Sequence, residues 1–466
     1  MVETLTRLSR ADRVAVGKDA RASTPLESHG ELVTDGRADP VALLESQVAA
    51  RVPELVPIRY GRMLSSPFAH YRGGALIMAA DLARGPSAGL TVQLCGDAHM
   101  SNFGIYASPE RHLVFDINDF DETHKGPFDW DVKRLAASLA VAGRDNGYPL
   151  KKRRRIVQGC VAGYREAMRS FAHQGNLAVW YSHLDMQDVL PQIGRELDAK
   201  REVRMQAALD KARTRDSIHA LAKLAEVVDG RSRIVSRPPL VVPVEELWGK
   251  EQIKATYDRL GALLVSYRRT LQRDRRHLLE QFEMVHIARK VVGVGSVGTR
   301  AWILLFEGID GGDPLFLQAK EAQQSVLSGL VKSNGFKNQG ERVVAGQQLM
   351  QATSDIFLGW DRVQGPDGVT RDFYLRQLRD GKASVVVEEM LADGMAFYGR
   401  LCGQTLARAH ARSGDRVAIA AYLGSSDRFD NAIADFAETY AAQNERDFSA
   451  LDDAAGAGRI DAQRGL

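Results

Sequence analysis

Cysteine is scarce in this 466-residue sequence, and its three copies (Cys95, Cys160 and Cys402) lie far apart in the chain. They are too few and too scattered for a disulfide framework or a zinc ribbon, and they are typical of a reducing compartment. Long apolar runs are also missing, since no stretch reaches the ~18 residues that a transmembrane helix needs. The first residues include acidic side chains and no apolar segment of signal-peptide length, so we expect a cytoplasmic protein.

An excess of charge of one sign is lacking too, because 62 basic residues face 59 acidic ones. Such a balance gives no reason to expect nucleic acid or a membrane as a partner, and the basic run at 151–155 favours a solvated helix face. The motifs H-E-x-x-H, G-x-S-x-G and Walker A are absent as well. Their absence argues against zinc proteases, serine hydrolases and P-loop enzymes.

Acidic and amide side chains are concentrated around one predicted hairpin. A short strand at 90–94 leads into Cys95-Gly96-Asp97-Ala98-His99-Met100-Ser101-Asn102, and strands at 103–106 and 113–117 follow. The hairpin then ends in Asn118-Asp119-Phe120-Asp121. Carboxylates at both ends of a hairpin can converge on one point. Phosphoryl transfer needs such groups, since one Asp accepts the proton of the acceptor hydroxyl while Asn and Asp oxygens bind Mg²⁺.

This segment resembles the H-G-D-x-H-x-x-N loop of aminoglycoside and choline phosphotransferases, which are small-molecule members of the protein-kinase-like superfamily. Cys95 stands where that loop has its first His. The resemblance implies that Asp97 is the catalytic base and that Asn102 and Asp119 complete the catalytic group as metal ligands. Asp116 is an alternative metal ligand, because the hairpin is a few residues longer than expected.

The interpretation of Asp119 as the metal ligand is favoured by the Phe and the acidic residue that follow it, as in a D-F-G motif. Asp131, which opens the next predicted helix, is similar to a residue that braces the catalytic loop in those enzymes. The alternative interpretation is that these Asp and Asn side chains only bond the backbone of their own turns.

A second segment is rich in glycine and is followed by a strand-like run. It fits G-x-G-x-x-G through Gly293, Gly295, Ser296 and Gly298. A glycine-rich turn between two strands is the kinase arrangement, in which backbone amides cover the phosphates of ATP.

Lys320 ends the next predicted strand, and its placement is similar to that of the β3 lysine of kinases. Glu341, at the start of a predicted helix (341–356), could pair with this lysine, and Glu321 is a local alternative. A further predicted strand at 374–378 could be the hinge, where the backbone of Gln377 and Leu378 would meet adenine.

The order of these segments is reversed relative to kinases, because the catalytic loop begins at residue 95 and the glycine-rich turn at residue 293. The helix predicted at 399–414 resembles the one that precedes the catalytic loop in kinases. This order implies a circular permutation, which requires termini close together at the surface. From about residue 59 to about residue 448 the chain also resembles an uncharacterised bacterial family with the motifs CGDAH-x-SNFG, VFD-x-NDFDET and YLRQL.

We therefore predict an α+β protein with a two-lobed, circularly permuted protein-kinase-like fold. Its parts are a polar, loosely ordered extension (1–50), a catalytic helical lobe with a helical insert (51–285), a β-rich nucleotide-binding lobe (286–395), helices that return to the catalytic lobe (396–446) and a flexible tail (447–466).

The expected activity is ATP- and Mg²⁺-dependent phosphoryl transfer to a hydroxyl of a small-molecule acceptor. The alternatives are a pseudokinase that binds nucleotide and regulates a partner, a metal-dependent phosphohydrolase, and a nucleotidyl transferase.

Overall fold

The structure of the protein is a computed structural model. It describes residues 8–189, 217–228, 230–291, 293–309, 312–332, 335–365, 367–378 and 385–465. Residues 190–216 of the predicted helical insert lie outside this description. In the part of the chain that is described, no helix is long and apolar enough to cross a bilayer.

The α-helices are numbered along the chain. They are α1 (Arg10–Ser23), α2 (Pro40–Ser46), α3 (Val56–Met63), α4 (Pro67–Gly73), α5 (Ala75–Leu82), α6 (Phe128–Asp145), α7 (Leu150–Ala172), α8 (Asn176–Tyr181), α9 (Ser217–Leu224), α10 (Val244–Leu247), α11 (Lys250–Arg268), α12 (Arg273–Leu279), α13 (Gln339–Met350), α14 (Ala392–Ser413), α15 (Arg416–Leu423) and α16 (Arg428–Gly456).

The strands are short near the N-terminus and longer in the second half of the chain. They are β1 (Thr91–Leu94), β2 (Phe103–Ala107), β3 (Leu113–Ile117), β4 (His124–Pro127), β5 (Leu184–Asp185), β6 (Ala225–Val228), β7 (Arg231–Ile234), β8 (Val241–Pro243), β9 (Phe282–Lys290), β10 (Ala301–Gly308), β11 (Pro314–Ala322), β12 (Gly359–Gln364) and β13 (Thr370–Gln377). The hairpin predicted after Asp97 is confirmed as β2 and β3, which pair antiparallel.

Six strands form an antiparallel sheet in the order β12-β13-β11-β10-β9-β8. All residues of β11 are buried, because the sheet is covered on both faces. Leu317 packs with residues of α11 on one face, and Phe316 belongs to a cluster on the other face. Side chains alternate between the faces of a strand, so Lys320 shares a face with Phe316.

The largest hydrophobic core is formed by helices α6, α7, α14 and α16 together with the hairpin β2–β3. The backbones of α7 and α14 approach closely, because a Cβ on Gly403 would lie 2.1 Å from the carbonyl oxygen of Cys160. Helix α6 is buried from Phe128 to Gly143. A helix that is surrounded on all sides needs small and apolar residues around its whole circumference, as its Ala-rich sequence provides.

The N-terminal segment is helical and packed, which corrects the expectation of a loosely ordered extension. Helix α1 lies against α15, where a Cβ on Gly17 would come within 2.1 Å of the Ala418 carbonyl oxygen. Arg37 binds two buried carboxylates, with Nε 2.8 Å from Asp81 Oδ1 and Nη2 2.6 Å from Asp447 Oδ2. Few residues of this segment are apolar, so its order depends on contacts with distant parts of the chain.

The C-terminal residues are also ordered, which corrects the expectation of a flexible tail at 447–466. Helix α16 continues to Gly456. Beyond it, Ile460 packs in a core cluster with α2 and α3, and the amide of Gln463 donates to the carbonyl of Pro57 at 2.9 Å. The tail therefore packs against α2 and α3, near the start of the chain.

The predicted helical lobe with its helical insert (51–285) is also corrected, because part of the large sheet lies inside it. Helices α6, α7 and α11 form where helical periodicity predicts them, but β8 and β9 join the large sheet. The sheet therefore starts at Val241, before the boundary expected at residue 286. Ile287 and Ala288 of β9 are both buried, on opposite faces. A strand covered on both sides lacks the alternating pattern that reveals a strand in sequence.

Candidate active site

The Asp97 loop is held in place by the first turn of α6. Asp131 accepts hydrogen bonds from the backbone amides of Cys95 (2.8 Å) and Gly96 (3.1 Å). Gly96 has a φ of 83°, and a Cβ there would lie 2.1 Å from the carbonyl oxygen of Glu122. The turn therefore requires glycine, and the bracing role predicted for Asp131 is confirmed.

Asp97 is held in one orientation by Arg134 of α6. The guanidinium donates to Asp97 Oδ1 from Nε at 2.9 Å and from Nη2 at 2.8 Å, and it lies 3.9 Å from the ring centroid of Tyr71. Asn102 donates to the main-chain carbonyl of Asp97 at 2.8 Å. The second carboxylate oxygen lies 3.6 Å from His99 Nε2 and accepts no hydrogen bond from the described residues.

The Asp119-Phe120-Asp121 motif faces Lys320 of β11. The lysine amine forms an ion pair with Asp121 Oδ2 and lies 3.7 Å from Asp119 Oδ2. Tyr374 of β13 donates a hydrogen bond of 2.7 Å to the other oxygen of Asp121. Phe120 is buried in the main core and anchors the motif. Two segments that lie far apart in the sequence thus meet in one place.

Burial and neighbouring charges set the ionisation of these groups. Burial, and next the charge of Asp121, raise the pKa of Asp119 above its ordinary value, while Lys320 opposes them. Burial also acts on Asp121, but Lys320 and the Tyr374 hydroxyl outweigh it and lower its pKa. Burial alone would lower the pKa of Lys320, and the two acids raise it instead. Lys320 is therefore a cation, and a further positive charge beside Asp119 would stabilise its carboxylate.

The glycine-rich turn approaches these acids from the opposite wall. Ser296 donates a hydrogen bond of 3.2 Å to Asp121 Oδ2. Arg51 supports the turn from behind by donating to the carbonyl of Gly295 at 3.2 Å and to a second carbonyl of the turn. Gly298 has a φ of 91° and lies against the side chain of Arg51. Gly298 therefore shapes the turn without lining the space beneath it.

The two walls enclose a cleft of about 210 Å³. The predicted site residues that line it are Asp97, Asn102, Asp119, Gly293, Gly295, Ser296 and Lys320. Glu321, the alternative partner predicted for Lys320, also lines it, together with the charged residues Arg51, Arg59, Arg72, Asp121, Glu122 and Arg376. The cleft therefore combines oxygen ligands, a lysine, several arginines and the backbone of a glycine-rich turn.

Asp116, the alternative metal ligand, lies away from the cleft. Its carboxylate is buried, pairs with Arg408 of α14 and accepts the amide of Ala352 at 3.1 Å. Helix α13 ends at Met350, two residues before this amide and earlier than the predicted end at residue 356. The structure thus corrects the alternative assignment, because the interior needs Asp116 as the counter-ion of a buried arginine, and Asp119 remains the candidate ligand.

Glu341 does not pair with Lys320, which corrects a second expectation. It lies in the first turn of α13, and the next residue, Arg342, is the one that turns toward the site. Arg342 donates to three main-chain carbonyls, including that of Asp121 at 2.8 Å. Glu321, the local alternative, pairs with an arginine that follows the glycine-rich turn. Asp121 therefore takes the position of counter-ion to Lys320.

The predicted hinge residues face elsewhere, which corrects a third expectation. Gln377 lines a second cavity of about 260 Å³, which touches the cleft only through Arg376. The amide of Gln377 donates to Asp355, and the amide of Leu378 donates to the carbonyl of Phe316 at 2.9 Å. Both amides are used within the protein, that of Gln377 by a carboxylate and that of Leu378 by continued pairing along β11.

The oxygen ligands of the cleft suit Mg²⁺ only if phosphate oxygens of a substrate complete its coordination shell. Among the described residues, no group of three or more His, Cys, Asp or Glu side chains is arranged to hold a metal ion. Mg²⁺ commonly takes one or two protein carboxylates and completes its shell with water and substrate phosphates. Asp119 and Asp121 are adjacent carboxylates, and Asn102 lines the same cleft. Repulsion between two such acids favours a bound cation.

Some functional positions escaped the sequence-based prediction. Arg134 lies three residues after Asp131, so both face the catalytic loop from one side of α6, and this spacing was a usable signal. Asp121 belongs to a motif that the sequence analysis recognised, although only its neighbour was assigned a role. Tyr374 is opposite Lys320 in the register of β11 and β13. No local sequence pattern predicts the pairing of Tyr374 with Lys320.

A family model described as an uncharacterised protein conserved in bacteria, DUF2252, matches residues 51–454. The chain belongs to this family. The DUF2252 region contains the described lining residues of the cleft except Gln47, whereas helices α1 and α2 precede it. No curated protein and no solved structure matches the chain significantly. The description of DUF2252 names no activity, so the function has to be argued from the cleft.

Proposed function

We propose that this protein is an ATP- and Mg²⁺-dependent phosphotransferase that acts on a hydroxyl of a small-molecule acceptor. The observation that carries the proposal is the meeting of Lys320 with the carboxylates of Asp119 and Asp121. Asp97 and the glycine-rich turn line the same cleft. Kinases use a lysine, metal-binding acids, a catalytic Asp and a glycine-rich loop together to hold and transfer a phosphoryl group.

The succession of elements in the large sheet supports a nucleotide-binding role. The glycine-rich turn joins β9 to β10, Lys320 lies on β11, and α13 follows. The same succession of glycine-rich loop, lysine strand and helix occurs in protein kinases. The Asp97 loop comes earlier in the chain, so the kinase-like fold that we propose is circularly permuted. The contact of the tail with Pro57 supports it, since permutation needs neighbouring ends.

In the proposed reaction the acceptor oxygen forms a bond to the γ-phosphorus of ATP. The bond from that phosphorus to the bridging oxygen breaks, and ADP leaves with the electron pair. The hydroxyl proton passes to Oδ2 of Asp97, while Arg134 holds Oδ1. Burial raises the pKa of Asp97, which makes its carboxylate a stronger base. Lys320 and the amides of the glycine-rich turn bind the phosphate oxygens.

Asn102 and Asp119 would hold Mg²⁺, with Asp121 beside them, and the ion would neutralise charge on the phosphates. Asp121 is bound to Lys320 and to Ser296 in the nucleotide-free protein. We therefore expect nucleotide to take over both groups as it enters.

The test is a turnover assay with ATP, Mg²⁺ and a panel of hydroxyl-bearing metabolites, followed by mass analysis of the product. We expect ADP and an acceptor that has gained one phosphate. Asp97→Asn should lower turnover at least about 100-fold while ATP binding is retained. Lys320→Met should weaken ATP binding, and Lys125→Met, the same change at an exposed lysine, should alter neither.

The alternatives give different results in the same assay. ATP binding by the wild-type protein with no turnover on any acceptor would favour a pseudokinase. Turnover that survives Lys320→Met would favour a phosphohydrolase, and a gain of AMP by the acceptor would show a nucleotidyl transferase.

A further inference from the structure

Three arginines line the cleft without any carboxylate partner. They are Arg51, Arg59 and Arg72, and within the described ranges none of them forms an ion pair with an acid. Lys320 on the same walls is paired with Asp121. Arg376 also forms no ion pair within the described residues, but it donates to the carbonyl oxygen of Asn118 at 3.1 Å and to Gln318 Oε1 at 3.3 Å. A group of cations with no counter-ion in a concave site suits a ligand that brings negative charge.

Buried nitrogen atoms of these side chains also lack hydrogen-bond partners in the described part of the chain. They are Nε of Arg51, Nε and Nη1 of Arg59, and Nε of Arg72, and Nδ1 of His99 on the same cleft wall is a further case. Buried donors are paired in almost all folded proteins, and an unpaired one requires an explanation. Several such donors on one cleft wall point to acceptor atoms supplied by a ligand.

Arg59 of α3 is the most enclosed of the three, with 1% of its surface exposed. Its bonds go to neutral oxygens only, at 2.8 Å to Gln47 Oε1 and 3.2 Å to the carbonyl of Gly73. Burial first, and then the neighbouring Arg51, lower the pKa of Arg59 to about 9. The guanidinium is thus charged at neutral pH, and the protein retains a buried cation at a cost in stability.

Arg72 of α4 lies between the glycine-rich turn and the catalytic loop. A Cβ on Gly295 would be 3.3 Å from the carbonyl oxygen of Arg72. The charge of Arg72 acts on Asp97, which it stabilises as an anion. The acids that act on Lys320 are Asp119 and Asp121 instead. Arg72 therefore lies on the side of the cleft where the base works, and Arg59 is bound to the carbonyl of Gly73, the residue next to it. This side is where the acceptor hydroxyl would lie.

We propose that Arg59 and Arg72, with Arg51 behind them, bind an oxyanion carried by the acceptor. The acceptor class is then a hydroxyl compound that already bears a phosphate or a carboxylate. The planar guanidinium group offers paired donors that match both kinds of oxyanion. The proposal that an anion binds here depends only on the arginines. The assignment of that anion to the acceptor rests on the proposed function.

The first test uses inorganic phosphate as the probe and thermal unfolding as the readout. Phosphate should raise the melting temperature of the wild-type protein, because a ligand that binds only the folded state stabilises it. The rise should disappear in Arg59→Met and shrink by at least half in Arg72→Gln. It should persist in Lys320→Met, which removes the proposed nucleotide contact, and in Lys125→Met. A full rise in both arginine variants would overturn the proposal.

Arg59→Met also has an internal control for folding. Replacing a buried, unpaired cation by an apolar side chain of similar length should leave the phosphate-free melting temperature unchanged or higher. If the variant is unstable, Arg72→Gln, at a less enclosed position, supplies the comparison. Loss of the rise in Lys320→Met alone would place the anion at the nucleotide contacts and reject the arginine site.

The second test separates the acceptor from the γ-phosphate of ATP. Steady-state rates are compared for glycerol, glycerol 3-phosphate and glycerate, and for whichever active acceptor the metabolite panel yields. We expect the anionic acceptor to be preferred, and Arg59→Met to raise its KM at least 10-fold with the KM for ATP unchanged. A rise in the KM for ATP alone would assign the arginines to the γ-phosphate and reject the acceptor role. With no turnover but a phosphate shift that depends on Arg59, the anion site stands and the phosphotransferase proposal fails.

Discussion

Arg134 donates from both Nε and Nη2 to a single oxygen of Asp97, at 2.9 and 2.8 Å. The other oxygen lies 3.6 Å from His99 and receives no such bond from the described residues. Asp131, one turn earlier on α6, holds the backbone of the same loop. One buried helix therefore fixes both the main chain and the side chain of the candidate base.

The first prediction concerns the pH dependence of turnover. Arg134 lowers the pKa of Asp97 against the effect of burial, so Arg134→Met should raise that pKa further. The base is active when ionised, and the acidic limb of the profile of kcat/KM should therefore move upward by about 1 pH unit or more. Arg134→Lys keeps the charge and should leave the limb near its original position while lowering kcat. A limb that stays in place in Arg134→Met would remove Asp97 as the titrating group.

The second prediction concerns stability against pH at Glu122. Burial raises the pKa of Glu122 to about 7 from an ordinary 4.5, although the Val326 amide and Arg342 oppose it. The folded protein thus binds the proton more tightly than the unfolded chain does. The stability from this group is complete below pH 4.5 and is lost as the pH rises to about 7.

Glu122 keeps part of its surface open to the cleft, so we expect a loss of about 1–2 kcal/mol rather than the ~3 kcal/mol of a sealed carboxyl. Urea unfolding at pH 5 and pH 8 measures it. Glu122→Gln should reduce the difference between the two pH values by that amount, and Glu341→Gln, in the first turn of α13, should not. An equal difference in wild type and Glu122→Gln would contradict the raised pKa.

The third prediction separates the two acids that competed for the metal role. Asp116→Asn breaks a buried pair with Arg408 and should lower the free energy of unfolding by about 3–5 kcal/mol, with little change in kcat of the folded enzyme. Asp119→Asn removes repulsion with Asp121, so its melting temperature should be unchanged or higher while turnover falls at least about 100-fold. Melting curves and kcat for both variants show which of the two acids has the metal role. The reverse pattern would return the metal role to Asp116.

The fourth prediction tests the packing of α7 against α14 in the main hydrophobic core. Gly403→Ala would place a methyl group 2.1 Å from the Cys160 carbonyl oxygen, and we expect a loss of about 3 kcal/mol. Gly394→Ala is on the same helix, where nothing lies within 4 Å, and should be neutral or stabilise by up to about 1 kcal/mol. Denaturant unfolding compares the two. Equal effects would mean that α7 and α14 are further apart than described.

The parts of the site that could be predicted from sequence are those that local order determines. The Asp97 loop, the hairpin, the glycine-rich turn and the strand of Lys320 are each recognisable within a dozen residues. The partner of Lys320 could not be predicted in this way, because it depends on the rotation of α13 about its axis. One residue along a helix turns the side chain by about 100°, so packing decides that Arg342 rather than Glu341 faces the site.

Longer-range pairing explains the other differences. The amide of Leu378 is bound by the pairing of β13 with β11, and the amide of Gln377 by the carboxylate of Asp355. No short sequence pattern predicts either contact. Segment 10–46 has a polar composition typical of an extension, yet Leu26 and Leu44 are buried. The segments that carry both residues pack against α16, hundreds of residues later in the chain. Composition alone does not report such contacts.

Arg37 has a practical consequence for anyone who wishes to express part of this chain. The family match begins at residue 51, but the carboxylates of Asp81 and Asp447, both inside it, are buried around the guanidinium of a residue before it. A fragment that starts at residue 51 would enclose two like charges with no cation between them. Boundaries taken from sequence similarity would therefore yield a destabilised polypeptide, and the first fifty residues belong in every truncation series.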